Sequence, residues 1–142
     1  MRPVRLDGRS LSQRMLVEVA HGAQVELDAN ALKAVARAAD FLAEQVAREE
    51  PIYGVSTGFG SNADKLLGAR PLRDGASGAQ HVSLHKQLQD NLIVTHAVCV
   101  GEPFAPEVVR AMLCIRINTL LRGHSGIRVE TLQALAAMLN AG

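Results

Sequence analysis

The run Tyr53-Gly54-Val55-Ser56-Thr57-Gly58-Phe59-Gly60 sets the only tyrosine of the chain among three glycines. Glycine accepts positive φ and lets backbone approach a ligand closely, so such a loop can close round a small molecule and present a phenol to it. A phenol titrates near about 10 in water and becomes a useful base where a closed site lowers that value. Glycine content alone favours the plainer reading, a turn whose tyrosine packs. The same residues spell Gly-x-Ser-x-Gly over Gly54 to Gly58, the nucleophile elbow, which needs a strand before the serine and a helix after it. Only Pro51-Ile52-Tyr53 precedes and more glycine follows, so the context defeats that motif. The glycines do not give G-x-G-x-x-G after a strand either, which argues against dinucleotide binding.

Two sets of histidines come next. His81 and His85 stand at i, i+4 and could share a metal on a helix face, yet no glutamate of the H-E-x-x-H type lies between them and no third ligand is evident. A solvated pair is the better reading, and no metal is expected. His96 follows Leu84, Leu88 and Leu92 at steps of four, so it falls on the inward face of a helix. An imidazole there is a satisfied core group or a ligand contact, and spacing alone favours the core. Arg116 and Asn118 interrupt another apolar helix and, if buried, need partners. Cys99 and Cys114 form no CxxC pair and read as structural thiols in helix-like segments.

The elements that must position these groups are mostly helical. Val4-Arg5-Leu6 with Asp7-Gly8 reads as a strand and turn, and Ser10-Leu11-Ser12-Gln13 as a capping box that opens a helix closed by Gly22. Gln24 to Leu27 alternates with period two, a second short strand beside the first, giving a hairpin-like element. Asp28 caps a helix whose Leu32, Val35, Ala39, Leu42 and Val46 share one face, limited by Pro51. Residues 52–80 hold no lasting periodicity and read as a long loop with one helical turn near Ala63 to Leu67, and loops of that length in compact domains are commonly functional lids. A helix through Leu84 and His96 stops at Gly101. Pro106-Glu107 opens a helix to Leu121 that is apolar nearly all round, ended by Gly123, and Val129 to Asn140 is the last, with Leu132, Leu135, Ala136 and Leu139 on one face.

Composition agrees with a mainly α domain spanning residues 1–142. The chain is 48% hydrophobic and 3% aromatic, so leucine, valine, alanine and isoleucine must build the core. A formal charge of +1 shows no nucleic-acid footprint. Arg2, Arg5 and Asp7 break any leader-like apolar run, and apolar stretches stop short of a bilayer's thickness, so no membrane partner is expected and the chain reads as soluble and cytoplasmic. The two final helices carry more apolar surface than a 142-residue monomer covers, which points to an interface.

Taken in order, Tyr53 to Gly60, Leu88-Gln-Asp-Asn-Leu92, His96, Val100-Gly-Glu-Pro103 and Arg116-Ile-Asn-Thr-Leu-Leu-Arg-Gly-His-Ser-Gly-Ile-Arg128 resemble the N-terminal part of the histidine and aromatic amino acid ammonia-lyases. The resemblance spans almost the whole chain. It implies a mainly helical fold of the ammonia-lyase and fumarase-like kind, a homotetramer, and elimination of ammonia from an aromatic amino acid, histidine first, to an α,β-unsaturated acid in amino-acid catabolism. It also implies roles: Tyr53 as the base that removes the β-proton, Gly60 lining the pocket, and His96 as a substrate contact, since Thr95-His96 is similar to the Ser-His pair of the histidine lyases. Tyrosine lyases carry histidine one place earlier and phenylalanine lyases carry Phe-Leu.

The family's electrophile, the methylidene-imidazolone group MIO, forms from an Ala-Ser-Gly expected beyond Gly142. Ala76-Ser77-Gly78 spells the same tripeptide, read here as a coincidence of small residues in a loop. The stretch from Gly60 to Leu88 is longer than in the family's histidine lyases, which bears on the lid and so on the substrate, and aminomutases of the family share the pattern. On this reading the chain holds the base without the electrophile, is inactive alone, and needs the C-terminal remainder of the enzyme as its partner. The reading from another class is a helical interaction module without catalysis.

Overall fold

The computed structural model describes residues 2–48, 50–58 and 89–142. In chain order its elements are β1 (Val4–Leu6), α1 (Gln13–Ala20), β2 (Val25–Leu27), α2 (Ala29–Ala47), a helical segment α3 over residues 89–96, α4 (Pro106–Leu120) and α5 (Val129–Ala141). They belong to two compact units, Met1–Ala43 with Glu102–Gly142, and Glu44–Gly101. The fold is mainly helical, as the aliphatic composition implies.

In the first unit, the two strands pair Val4 with Val25 and Leu6 with Leu27 in parallel, where a hairpin-like element was expected. A hairpin needs a tight turn, whereas here α1 lies between the strands and carries the chain back to start β2 in the same direction as β1. The cap of α1 also differs from expectation. Ser12 is the N-cap, accepting the Met15 N–H, because Ser10 is held by Asp7, which accepts the N–H groups of Arg9 and Ser10 and the Ser10 hydroxyl. Asp28 caps α2 as read, its Oδ1 accepting from the N–H of Asn30 at 2.9 Å and of Ala31 at 2.8 Å.

The core of this unit is aliphatic. Leu6, Val19, Val35, Ile117, Leu121, Leu132 and Leu139 are fully buried, each contributing about 1.5–3 kcal/mol relative to exposure. Phe41 and Phe104 of this unit are exposed. Cys114 and Ile117 set the inner face of α4, Leu121 follows at its C-cap, and burial pushes the Cys114 thiol up. Cys99 is exposed and lies outside any helix, against the reading of two structural thiols in helices.

Polar groups then tie the elements. Arg110 of α4 donates to three carbonyls, Val19 at 2.9 Å, Leu139 at 2.7 Å and Ala23 at 3.2 Å, so one guanidinium serves the C-terminal ends of α1 and α5 and the turn before β2. A cation there also meets the negative ends of both helices. Asn118 finds the partner that its position demands, accepting the Gly8 N–H at 2.9 Å, while Arg116 is exposed. Gly123 has φ +71°, and a Cβ there would stand 2.9 Å from the Ala34 backbone, so only glycine lets the end of α4 meet α2. Val108, Val109, Met112 and Ile115 of α4 and Met138 of α5 are left exposed. Among the described residues, no helix is long and apolar enough to cross a membrane.

Candidate active site

In the second unit, residues 50–58 form a turn closed on itself. The Ile52 carbonyl accepts three backbone N–H groups, from Val55 at 3.0 Å, Ser56 at 3.0 Å and Thr57 at 3.2 Å. Gly54 takes φ +72°, the conformational freedom this tight path requires. Ser56 and Thr57 are buried, at 6% and 3% exposure, whereas Tyr53 is 64% exposed. The Ser56 hydroxyl donates to the Glu50 carbonyl at 2.5 Å and accepts the Ile52 N–H at 2.7 Å. A serine so engaged is no nucleophile, which disposes of the elbow motif on structural grounds. The turn therefore bonds much of its own backbone and leaves the Tyr53 side chain exposed.

His96 ends α3, which stops there and not at Gly101. In this last turn Thr95 Oγ1 lies 2.7 Å from the Asn91 carbonyl and His96 Nδ1 lies 2.9 Å from that of Leu92. These contacts are local to the last turn, and His96 is exposed in this chain, where leucine spacing suggested an inward position. A carbonyl can only accept, so Nδ1 is the donor in the contact with the Leu92 carbonyl. Tyr53 and His96 belong to the same unit, Glu44–Gly101. Gly60, His81, His85, Leu84, Leu88, the turn near Ala63 to Leu67 and Ala76-Ser77-Gly78 lie outside the described residues, as does most of the loop over 52–80.

Within the first unit a cleft of about 440 Å³ is lined by Arg5, Asp7, Arg9, Asp28, Arg37 and Arg122 among others. Paired carboxylates in a cleft suggest acid–base chemistry, but here both are engaged. The Arg5 guanidinium and then the Ala31 N–H hold the Asp28 carboxyl below its ordinary range, and the hydrogen bonds from Ser10 and Arg9 hold Asp7 at about 2. Neither carboxylate is poised to take a proton near neutrality. Among the described residues no three histidine, cysteine or acidic side chains gather as a metal site would need.

The model of the aromatic amino acid lyases matches residues 11–142. The chain belongs to that family. It is 43% identical over 136 residues to the histidine ammonia-lyase of Symbiobacterium thermophilum, covering 95% of this chain and 24% of that protein. Its fold is similar to a crystal structure of tyrosine aminomutase from Streptomyces globisporus, with TM-score 0.80, 31% identity, and 98% of this chain against 24% of the other covered. It is equally similar to histidine ammonia-lyase from Trypanosoma cruzi, with TM-score 0.79 and 35% identity over 99% of this chain and 25% of the other. The chain thus spans about a quarter of the length of these relatives.

Reasoning from sequence missed Ser56 and Thr57 as the groups that build the turn. Their small hydroxyls among glycines were the available signal, since serine and threonine beside glycine are the residues that bond to local backbone.

Proposed function

We propose that the chain is the N-terminal domain of an ammonia-lyase that eliminates ammonia from L-histidine, with Tyr53 as the base and His96 as a contact to the substrate ring. The observation that carries this is Tyr53 itself, a 64% exposed side chain on a tight glycine-containing turn, in a chain that belongs to the aromatic amino acid lyases. In the reaction the Tyr53 phenolate takes the β-proton, the C–N bond breaks, and ammonia and an α,β-unsaturated acid leave. His96, an exposed imidazole with both donor and acceptor capacity, suits a polar ring such as imidazole. Gly60 belongs to the same proposal as a residue lining the pocket.

The family's MIO group supplies an electrophile for the substrate amine when present. No Ala-Ser-Gly lies among the described residues, and the segment that forms the group is assigned to the remainder of the enzyme. That remainder, and neighbouring subunits of a cytoplasmic homotetramer, are the proposed cover for the exposed apolar residues of α4 and α5.

Two measurements test the reading. In the complete enzyme, Tyr53→Phe lowers turnover by at least ~10²–10⁴-fold while substrate still binds, and activity within a few-fold of the parent would remove Tyr53 from the role. The purified 142-residue chain gives no unsaturated acid in an ultraviolet assay, because a tyrosine base alone cannot take so weakly acidic a proton. The likeness to a tyrosine aminomutase favours one second reading, in which the amine returns to the β-carbon. A β-amino acid among the products would decide for it.

A further inference from the structure

The amide N–H groups on either side of Tyr53 are each held by a buried hydroxyl. The Ile52 N–H donates to Ser56 Oγ at 2.7 Å, and the Gly54 N–H donates to Thr57 Oγ1 at 3.3 Å. Each hydroxyl has further bonds that fix it in turn. Ser56 Oγ donates to the Glu50 carbonyl at 2.5 Å, and Thr57 Oγ1 lies 3.1 Å from the Gly58 carbonyl and 3.4 Å from that of Ile52. Residues 50–58 form turn and loop with a single bridge residue, Thr57, and Gly54 and Gly58 give this stretch more backbone freedom than any other residue type would. A phenol carried on such a stretch keeps one position only if something removes that freedom.

We propose that Ser56 and Thr57 are positioning residues for Tyr53, Ser56 holding the Pro51–Ile52 peptide and Thr57 the Tyr53–Gly54 peptide and the Ile52 carbonyl, so that the phenol is presented in a fixed direction. The proposal rests on the reading of Tyr53 as the base. Both hydroxyls are nearly inaccessible and turned to backbone, so they act through Tyr53 and not on substrate. The consequence for rate is large because misplacing a reacting group by about 1 Å can cost ~10²-fold.

Tyr53 is the one tyrosine of a chain without tryptophan, so the intrinsic fluorescence of the 142-residue chain reports on that side chain alone. The variants are Ser56→Ala, Thr57→Val, which keeps shape and removes the hydroxyl, and Thr57→Ser, which keeps the hydroxyl. Ser56→Ala and Thr57→Val enlarge the fast component of the Tyr53 anisotropy decay and, in the complete enzyme, lower kcat roughly 10–100-fold with KM within about threefold, while Thr57→Ser restores both. Parent-like anisotropy and parent-like kcat in Thr57→Val, with Tyr53→Phe inactive, would overturn the positioning role alone. If Tyr53→Phe is active, the base assignment falls and the proposal with it. Should Ser56→Ala fail to fold, the Thr57→Val and Thr57→Ser pair decides by itself.

Discussion

Asn140 completes the free edge of the sheet at Val25. Its Oδ1 accepts the Val25 N–H at 2.8 Å and its Nδ2 donates to the Val25 carbonyl at 3.0 Å. One side-chain amide so gives β2 the donor and acceptor that a neighbouring strand would offer. The two residues lie 115 positions apart, so this pairing joins the last helix to the first sheet.

Replacing Asn140 with leucine leaves both Val25 groups without that partner. We expect a loss of about 1–3 kcal/mol, with Asn140→Asp losing less because it keeps an acceptor. Urea unfolding checks this through a lower midpoint at unchanged slope. A change within the few tenths typical of a surface substitution would show that water replaces the amide at no cost.

Gly123 and Gly22 separate backbone strain from crowding. Both have positive φ, at +71° and +104°, but a Cβ on Gly22 meets nothing within 4 Å whereas one on Gly123 reaches the Ala34 backbone. Gly22→Ala therefore carries the conformational cost alone, and Gly123→Ala loses clearly more, with at least about 1 kcal/mol between them. Equal midpoints for the two variants would mean that α2 moves aside freely.

Acid should weaken the first unit through Asp7 and Asp28. The hydrogen bonds from Ser10 and Arg9 keep the folded Asp7 carboxyl at about 2, below the value of 3.8 for a free carboxyl, and Arg5 lowers that of Asp28. A carboxyl depressed in the fold stabilises it above its unfolded value, and that contribution is lost as pH falls from near 4 through about 2. Unfolding midpoints of the parent should drop across this window, and those of Asp7→Asn should drop less. Parallel curves for the two proteins would take Asp7 out of the explanation.

His96→Leu should change substrate choice more than stability, since the side chain is exposed in this chain and buries no core. In the complete enzyme histidine turnover falls steeply, up to ~10⁴-fold, while phenylalanine turnover falls little or rises. Equal losses on both substrates would show that His96 does not read the ring.

The elements legible in the sequence were those with local causes. The Asp28 cap, the face of α5 and the glycines after α1 and α4 follow from hydrogen-bonding valence, helical period and positive φ. What was hidden depended on distant residues. The parallel sense of β1 and β2 goes with α1 lying between them, and the place of Arg110 in α4 is defined by carbonyls 29 to 91 positions away. Leucine spacing suggested an inward His96, but spacing gives the face of a helix and not what lies against it. Tyr53 stood out as a lone phenol among glycines, while the hydroxyls that hold its turn looked like ordinary loop residues.

The bond between Val25 and Asn140 also has a bearing on synthesis. At about 5–20 residues per second, a ribosome adds the 115 intervening positions in roughly 6–23 s. Throughout that interval the nascent β2 has no Asn140, and Val19 and Ala23 have no Arg110 to accept from for most of it. A short apolar strand with an open edge is a template for pairing with another chain. That edge of β2 is thus open to wrong pairing until Asn140 has been added.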